Sequence, residues 1–169
     1  PDDLDYVSYM ANKGDSESQM RVANFYYSQG NNDAVYWYTK AAENNVVEAQ
    51  RKLGYIYLNG ELQAIQDIRQ SVQYFYQAAL QNDLESMKEL AILFSENKIP
   101  DEPDYYTKGY SLAQKYLELT KNEPQKRDLF IYKVIGDLST TTKDYKNAIA
   151  YYTAFINSYN PPMDKPIQL

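Results

Sequence analysis

The chain has 169 residues, 44% of them hydrophobic and 24% charged, which is ordinary for a folded soluble protein, and its net charge is −6. It contains neither cysteine nor histidine, which excludes disulfides and thiolate metal sites and removes the commonest general base. The negative charge disfavours nucleic acid and anionic membrane surfaces as partners, and no apolar run approaches the ~20 residues that cross a bilayer, so no membrane insertion is expected.

None of the seven prolines falls between residues 2 and 99, and β-branched alternation is scarce, so the chain reads as all-α. It opens on Pro1-Asp2-Asp3, as a mature form or an excised fragment would. Asp3 to Lys13 form the first helix, with Leu4, Val7, Met10 and Ala11 on one stripe. Gly14 ends it, and Asp15 or Ser16 can cap the next helix, Ser18 to Gln29. After the turn Gly30-Asn31-Asn32, Asp33 reads as the N-cap of Ala34 to Asn44. A helix over Val47 to Asn59, ended by Gly60, is followed by the connection Glu61 to Ile68. The next helix carries Ser71, Tyr74, Phe75, Ala78 and Ala79, and Leu84 to Glu96 follows. The irregular loop 97–104 leads to Tyr105 to Lys121. Gln125 to Leu138 and Tyr145 to Asn157 are the last pair, and the Pro-rich tail reads as extended.

These elements repeat. Val22-Ala23 with Tyr26, Leu53-Gly54 with Tyr57, Leu90-Ala91 with Phe94 and Ile135-Gly136 before Ser139 mark equivalent first helices. Ala34-Trp37-Tyr38-Ala41-Ala42 matches Ser71-Tyr74-Phe75-Ala78-Ala79 in the partner helices. The step from Ala34 to Gly54 equals that from Ser71 to Ala91, at 20 residues, while the loops differ in length. A mid-helix glycine costs about 1 kcal/mol against alanine, so Gly54 and Gly136 read as close helix crossings. The spacing gives one repeat domain, 1–169: a lone partner helix over 3–14, repeats over 16–45, 47–82, 84–122 and 125–158, and a tail over 159–169.

Ala49, Leu53, Gly54, Tyr57, Gly60, Asp67, Ser71, Tyr74, Phe75, Ala78 and Ala79 resemble the Sel-one-like repeat, a relative of the tetratricopeptide repeat. The phrase WYTKAAENNVVEAQ of the first unit is also close to that family, although its loop has a tetratricopeptide length. The last unit resembles a tetratricopeptide repeat through Tyr132, Ile135, Gly136, Ala148, Tyr152 and Phe155, with Ser139 in place of the usual aromatic. The resemblance implies a right-handed α-α superhelix of about four antiparallel helix pairs plus an N-terminal single helix. It also implies a non-enzymatic scaffold or adaptor, with no cofactor. Bacterial members include exported or periplasmic scaffolds and partners in envelope polysaccharide assembly, which leans the expected location the same way.

In such a superhelix the first helices line the concave side. The side chains flanking each small residue then form a trough: Met20, Arg51, Lys88 and Lys133 along one edge, with Asn24, Tyr27, Tyr55, Leu58 and Ile92 along the floor. One reading is a peptide groove in which the cations meet carboxylates of a protein or peptide partner. The other makes the cations a solvated face and the tyrosines packing between repeats. Trp37, Tyr38, Tyr74, Phe75, Tyr151 and Tyr152 read as core. The acidic clusters at residues 2–5 and 101–104 lack the spacing of a calcium loop, and no metal, cofactor or catalytic residue is assigned. The loops 61–68, with Leu62, Ala64 and Ile65, and 97–104, with Ile99, offer either a second binding edge or local packing. The expected function is a non-enzymatic scaffold binding a protein or peptide in the trough. The alternatives are a structural segment of a longer solenoid that associates end to end, and, more weakly, a carbohydrate-binding module.

Overall fold

The computed structural model describes residues 3–99 and 101–159; the Pro-rich tail from 160 onward lies outside the described residues. Those described are helical, in the order α1 (Leu4–Asn12), α2 (Ser16–Ser28), α3 (Asp33–Glu43), α4 (Val47–Asn59), α5 (Ile68–Leu80), α6 (Leu84–Ser95), α7 (Tyr105–Leu119), a 3-10 turn at Pro124–Lys126, α8 (Phe130–Thr141) and α9 (Tyr145–Tyr159). They form two compact units, Pro1–Leu90 and Ala91–Leu169.

One turn chemistry recurs. Asn45, Gly60, Asn82 and Lys143 follow helices with positive φ. Beside them Val46 N–H donates to the Ala41 carbonyl, Glu61 to Ile56, Asp83 to Ala78 and Asp144 to Ser139. This is the Schellman closure, which satisfies the last carbonyls of a helix and favours Gly or Asn at the left-handed residue. Several helices open on an aspartate cap: Asp15 Oδ2 accepts from Ser18 N–H, Asp67 Oδ1 from Gln70 and Asp83 Oδ2 from Ser86, whereas α4 opens on Val46 without a side-chain cap. Asp33 departs from its expected role. It is the first residue of α3, and Asn31 Oδ1 accepts its N–H instead.

In the first unit α1 packs on α2, α2 on α3, α3 on α4 and α4 on α5, and the short turns joining the first four of these helices make αα-hairpins. The core is built from Ala23, Ala34, Tyr38, Ala41, Ala49, Leu53 and Ile56, and Trp37 packs against both this cluster and that of Val7, Ala11 and Val22. A Cβ on Gly54 would stand 2.5 Å from the Phe75 ring, so the helices meet closely there. Leu62 and Ala64 of the α4–α5 loop pack on this core, while Ile65 is 87% exposed.

In the second unit α7 packs on α8 and α8 on α9. Gly109 and Gly136 repeat the close crossing: added Cβ atoms would lie 2.8 Å from Phe94 Cβ and 2.6 Å from the Tyr152 ring. Ile131, Val134, Ile135 and Leu138 form the buried face of α8. Ile99 is buried, so of the two readings of the loop 97–104 local packing holds at this residue. The expected helix from Gln125 starts only at Phe130, and the reason is Arg127. Its guanidinium donates to Thr120 Oγ1, the Leu117 carbonyl and the Tyr132 hydroxyl, closing the C-terminus of α7. Asp128 N–H donates to the Tyr116 hydroxyl, and Asp128 Oδ1 accepts from Phe130 N–H where the helix opens.

Candidate functional site

The first-helix face of the first unit is a network rather than a set of open cations. Arg51, on α4, donates Nη1–H to Asp83 Oδ1 at 2.5 Å, and its Nε lies 3.6 Å from Glu85 Oε2. Asp83 is thereby used twice, since its other oxygen caps α6. One turn along α4, the Tyr55 hydroxyl stands 2.8 Å from Glu85 Oε1 and 3.1 Å from Glu89 Oε1, sharing one proton between two acceptors. Its ring meets Phe75 edge-on at 5.0 Å. Burial, then the two glutamates, raises the Tyr55 pKa well above the ordinary tyrosine value.

Tyr27, on α2, donates to Glu61 Oε2 at 2.7 Å, and Lys52 Nζ lies 5.0 Å from its ring centre. The Glu61 bond raises the Tyr27 pKa. Asn24 Oδ1 accepts from the Tyr38 hydroxyl at 2.7 Å, while Asn24 itself is exposed. Leu58 and Lys88 are half-buried. Met20 is the correction to the expected row: it is 8% exposed and belongs to the core, because α3 and α4 close over it. Arg51 is corrected in part, since its guanidinium already faces two carboxylates of its own chain.

In the second unit Ile92 is half-buried, and Lys133 Nζ pairs with Asp137 Oδ2 at 2.7 Å one turn along α8, which raises the lysine pKa. Sequence reasoning missed Asp83, Glu85 and Glu89 as partners of the trough. The available signal was the capping pattern Asp83-x-x-Ser86, which fixes where the acidic start of α6 stands. It also missed Gln19 and Gln50, which are polar residues at one register position, four before the small residue, on otherwise apolar stripes.

Among the described residues no group of three or more acidic side chains could hold a metal ion, and no helix is long and apolar enough to cross a membrane. The close crossings at Gly54 and Gly136, the repeated turn closure and the paired helices define an all-α helical-repeat protein. The Sel1 repeat model matches residues 16–46, 47–83 and 136–157, and the chain belongs to the Sel1 repeat family. Its structure resembles that of c5321, a protective antigen of uropathogenic Escherichia coli displaying an SLR fold, with a TM-score of 0.67 and 21% identity over 94% of this chain and 34% of that one. It also resembles a Sel1 repeat protein from Oxalobacter formigenes, with a TM-score of 0.60 and 22% identity over 92% of this chain and 69% of that one. The chain thus spans about a third of the length of the first. No curated protein matches it significantly. Sel1 repeats are typically non-enzymatic and serve in general as protein-interaction scaffolds.

Proposed function

We propose that this chain is a non-enzymatic adaptor that binds a partner polypeptide across the first-helix face of its first unit. Asn24, Tyr27, Arg51, Tyr55, Leu58 and Lys88 make the contact, and Ile92 and Lys133 serve the corresponding face of the second unit. The observation that carries the reading is the fixing of Tyr55. Its ring is braced by Phe75 and its hydroxyl held by Glu85 and Glu89, yet it remains half-exposed. A rigid aromatic offers contact area with little entropy left to lose on binding. Apolar partner side chains pack along Tyr27, Tyr55 and Leu58, and partner carboxylates approach Arg51 and Lys88 in competition with the groups that these cations already meet in their own chain. A partner found by crosslinking and mass spectrometry is then titrated against Tyr55→Ala and Lys88→Glu. Affinity falls at least about tenfold with each, at unchanged helical circular dichroism. Unchanged affinity in both variants overturns the assignment of this face.

A second reading is favoured by α9. Tyr145, Ile149 and Ile156 lie on one stripe and are 59%, 67% and 59% exposed. In this reading the chain is a structural segment that associates end to end through α9. Sedimentation of the wild type and of Ile149→Lys/Ile156→Lys decides: a concentration-dependent oligomer lost in the variant supports it, and a wild-type monomer at all concentrations removes it.

A further inference from the structure

Among the described residues three tyrosine hydroxyls donate to carboxylates, and the charge around them differs. In the second unit the Tyr152 hydroxyl stands 2.6 Å from Asp137 Oδ1, and Lys133 Nζ closes on Asp137 Oδ2 at 2.7 Å. In the first unit Tyr27 donates to Glu61 Oε2, Asn59 Nδ2 donates to Glu61 Oε1 at 3.0 Å, and Lys52 Nζ stands over the Tyr27 ring. Each of these carboxylates has both oxygens bonded and a lysine of its own chain beside the pair.

Tyr55 lacks that completion. Its one phenolic proton faces two carboxylates, Glu85 and Glu89, so one of them is without it at any moment. Arg51 gives its Nη1–H to Asp83 and reaches Glu85 Oε2 only through Nε, at 3.6 Å. Among the described residues Glu89 meets no cation, its second oxygen has no hydrogen-bond partner, and no cation stands over the Tyr55 ring. Glu89 and Tyr55 are both half-buried. A carboxylate partly withdrawn from water gains from a charged donor more than an exposed one does. Arg51, Tyr55, Glu85 and Glu89 all belong to the first unit.

We propose that the partner polypeptide brings an arginine to this point, its guanidinium laid on the open part of the Tyr55 ring and hydrogen-bonded to Glu85 and Glu89. A guanidinium can stack on a ring and meet two carboxylates at once, whereas an ammonium is a strongly hydrated point charge. A metal ion is disfavoured, because no group of three or more acidic side chains among the described residues could hold one. A polypeptide is preferred to a free guanidinium because Leu58, half-buried and one turn along α4, offers an apolar contact to the residue beside the arginine. The inference rests on the contact face proposed above and adds to it the cation that the partner supplies.

The test is an amide NMR titration of the full chain at low salt with acetyl-Leu-Arg-Leu-amide, acetyl-Leu-Lys-Leu-amide and acetyl-Leu-Glu-Leu-amide. Saturable shifts are expected at Tyr55, Leu58 and Glu89 with the arginine peptide, which binds about fivefold tighter than the glutamate peptide, with the lysine peptide between them. The preference shrinks as salt is raised. Glu89→Gln keeps an acceptor for the Tyr55 phenol while removing the charge, and lowers the preference for arginine by at least about threefold. Where that variant does not fold, the ranking of the three peptides carries the test. Equal binding of the arginine and glutamate peptides, a lysine peptide as tight as the arginine one, or a preference untouched by Glu89→Gln overturns the arginine assignment and leaves the contact face standing. Absence of saturable shifts with every peptide also overturns it, while the contact face is decided separately by the Tyr55→Ala and Lys88→Glu titrations of the crosslinked partner.

Discussion

Gln19 and Gln50 hold the same place in successive repeats and make the same bonds. Gln19 Nε2 donates to the Ala11 carbonyl at 3.2 Å and its Oε1 accepts from Asn44 at 3.0 Å; Gln50 Nε2 donates to the Ala42 carbonyl at 3.3 Å and its Oε1 accepts from Gln81 at 2.9 Å. Each buried amide thus ties the end of the preceding partner helix to the end of the following one. Repeats in register are held by this clasp as well as by apolar contact.

Gln50→Ala therefore costs about 1–3 kcal/mol, since it strands the Ala42 carbonyl without a donor in the core. Gln81→Ala costs less, because Gln81 is exposed and water replaces it. Urea unfolding of the two variants checks the order.

Gly54→Ala destabilises the chain although alanine is the better helix former. The propensity gain is about 1 kcal/mol. Against it, a Cβ 2.5 Å from the ring of fully buried Phe75 forces an overpacked crossing, at a cost of about 1–3 kcal/mol. Adding Phe75→Leu should recover part of the loss, which thermal melts of the single and double variants would show.

Arg51→Met and Asp83→Asn are coupled. A double-mutant cycle should give about 1 kcal/mol at low salt, shrinking as ionic strength rises, because the arginine side chain is still 28% exposed. A zero coupling at low salt would show that the pair contributes nothing to the stability of the repeat junction.

The alkaline limit of stability is set by tyrosines. Burial raises the pKa values of Tyr38, Tyr55, Tyr57 and Tyr152 above the ordinary 10.0, and the Glu61 bond does the same for Tyr27. A raised folded-state value means that the unfolded chain loses its protons first. The stabilisation is therefore complete below pH about 10 and is lost as pH rises through the folded values. Absorbance at 295 nm should show a fraction of the tyrosines ionising only together with the loss of helical circular dichroism.

Local chemistry was legible in the residues themselves. The helix from Val47 to Asn59 and its stop at Gly60 follow from apolar period and a left-handed cap, which are read within a few residues of each other. The start of α8 was not, because it depends on Arg127 reaching back to Leu117 and Thr120. Of the candidate face, the positions were legible from the repeat register, but the state of each side chain was not.

The amino-acid sequence by itself determined that this chain is all-helical and that its helices pair and repeat, because periodicity, caps and small crossing residues are local and recur at fixed steps; the resemblance of those residues pointed to the Sel1 repeat. Only the tertiary structure decided that Met20 is core, that Arg51 and Tyr55 meet Asp83, Glu85 and Glu89, and that Ser139 is buried. The physical reason is distance along the chain. The carboxylates lie 30 to 34 residues from the groups they bind, and burial is set when side chains of several helices are packed together.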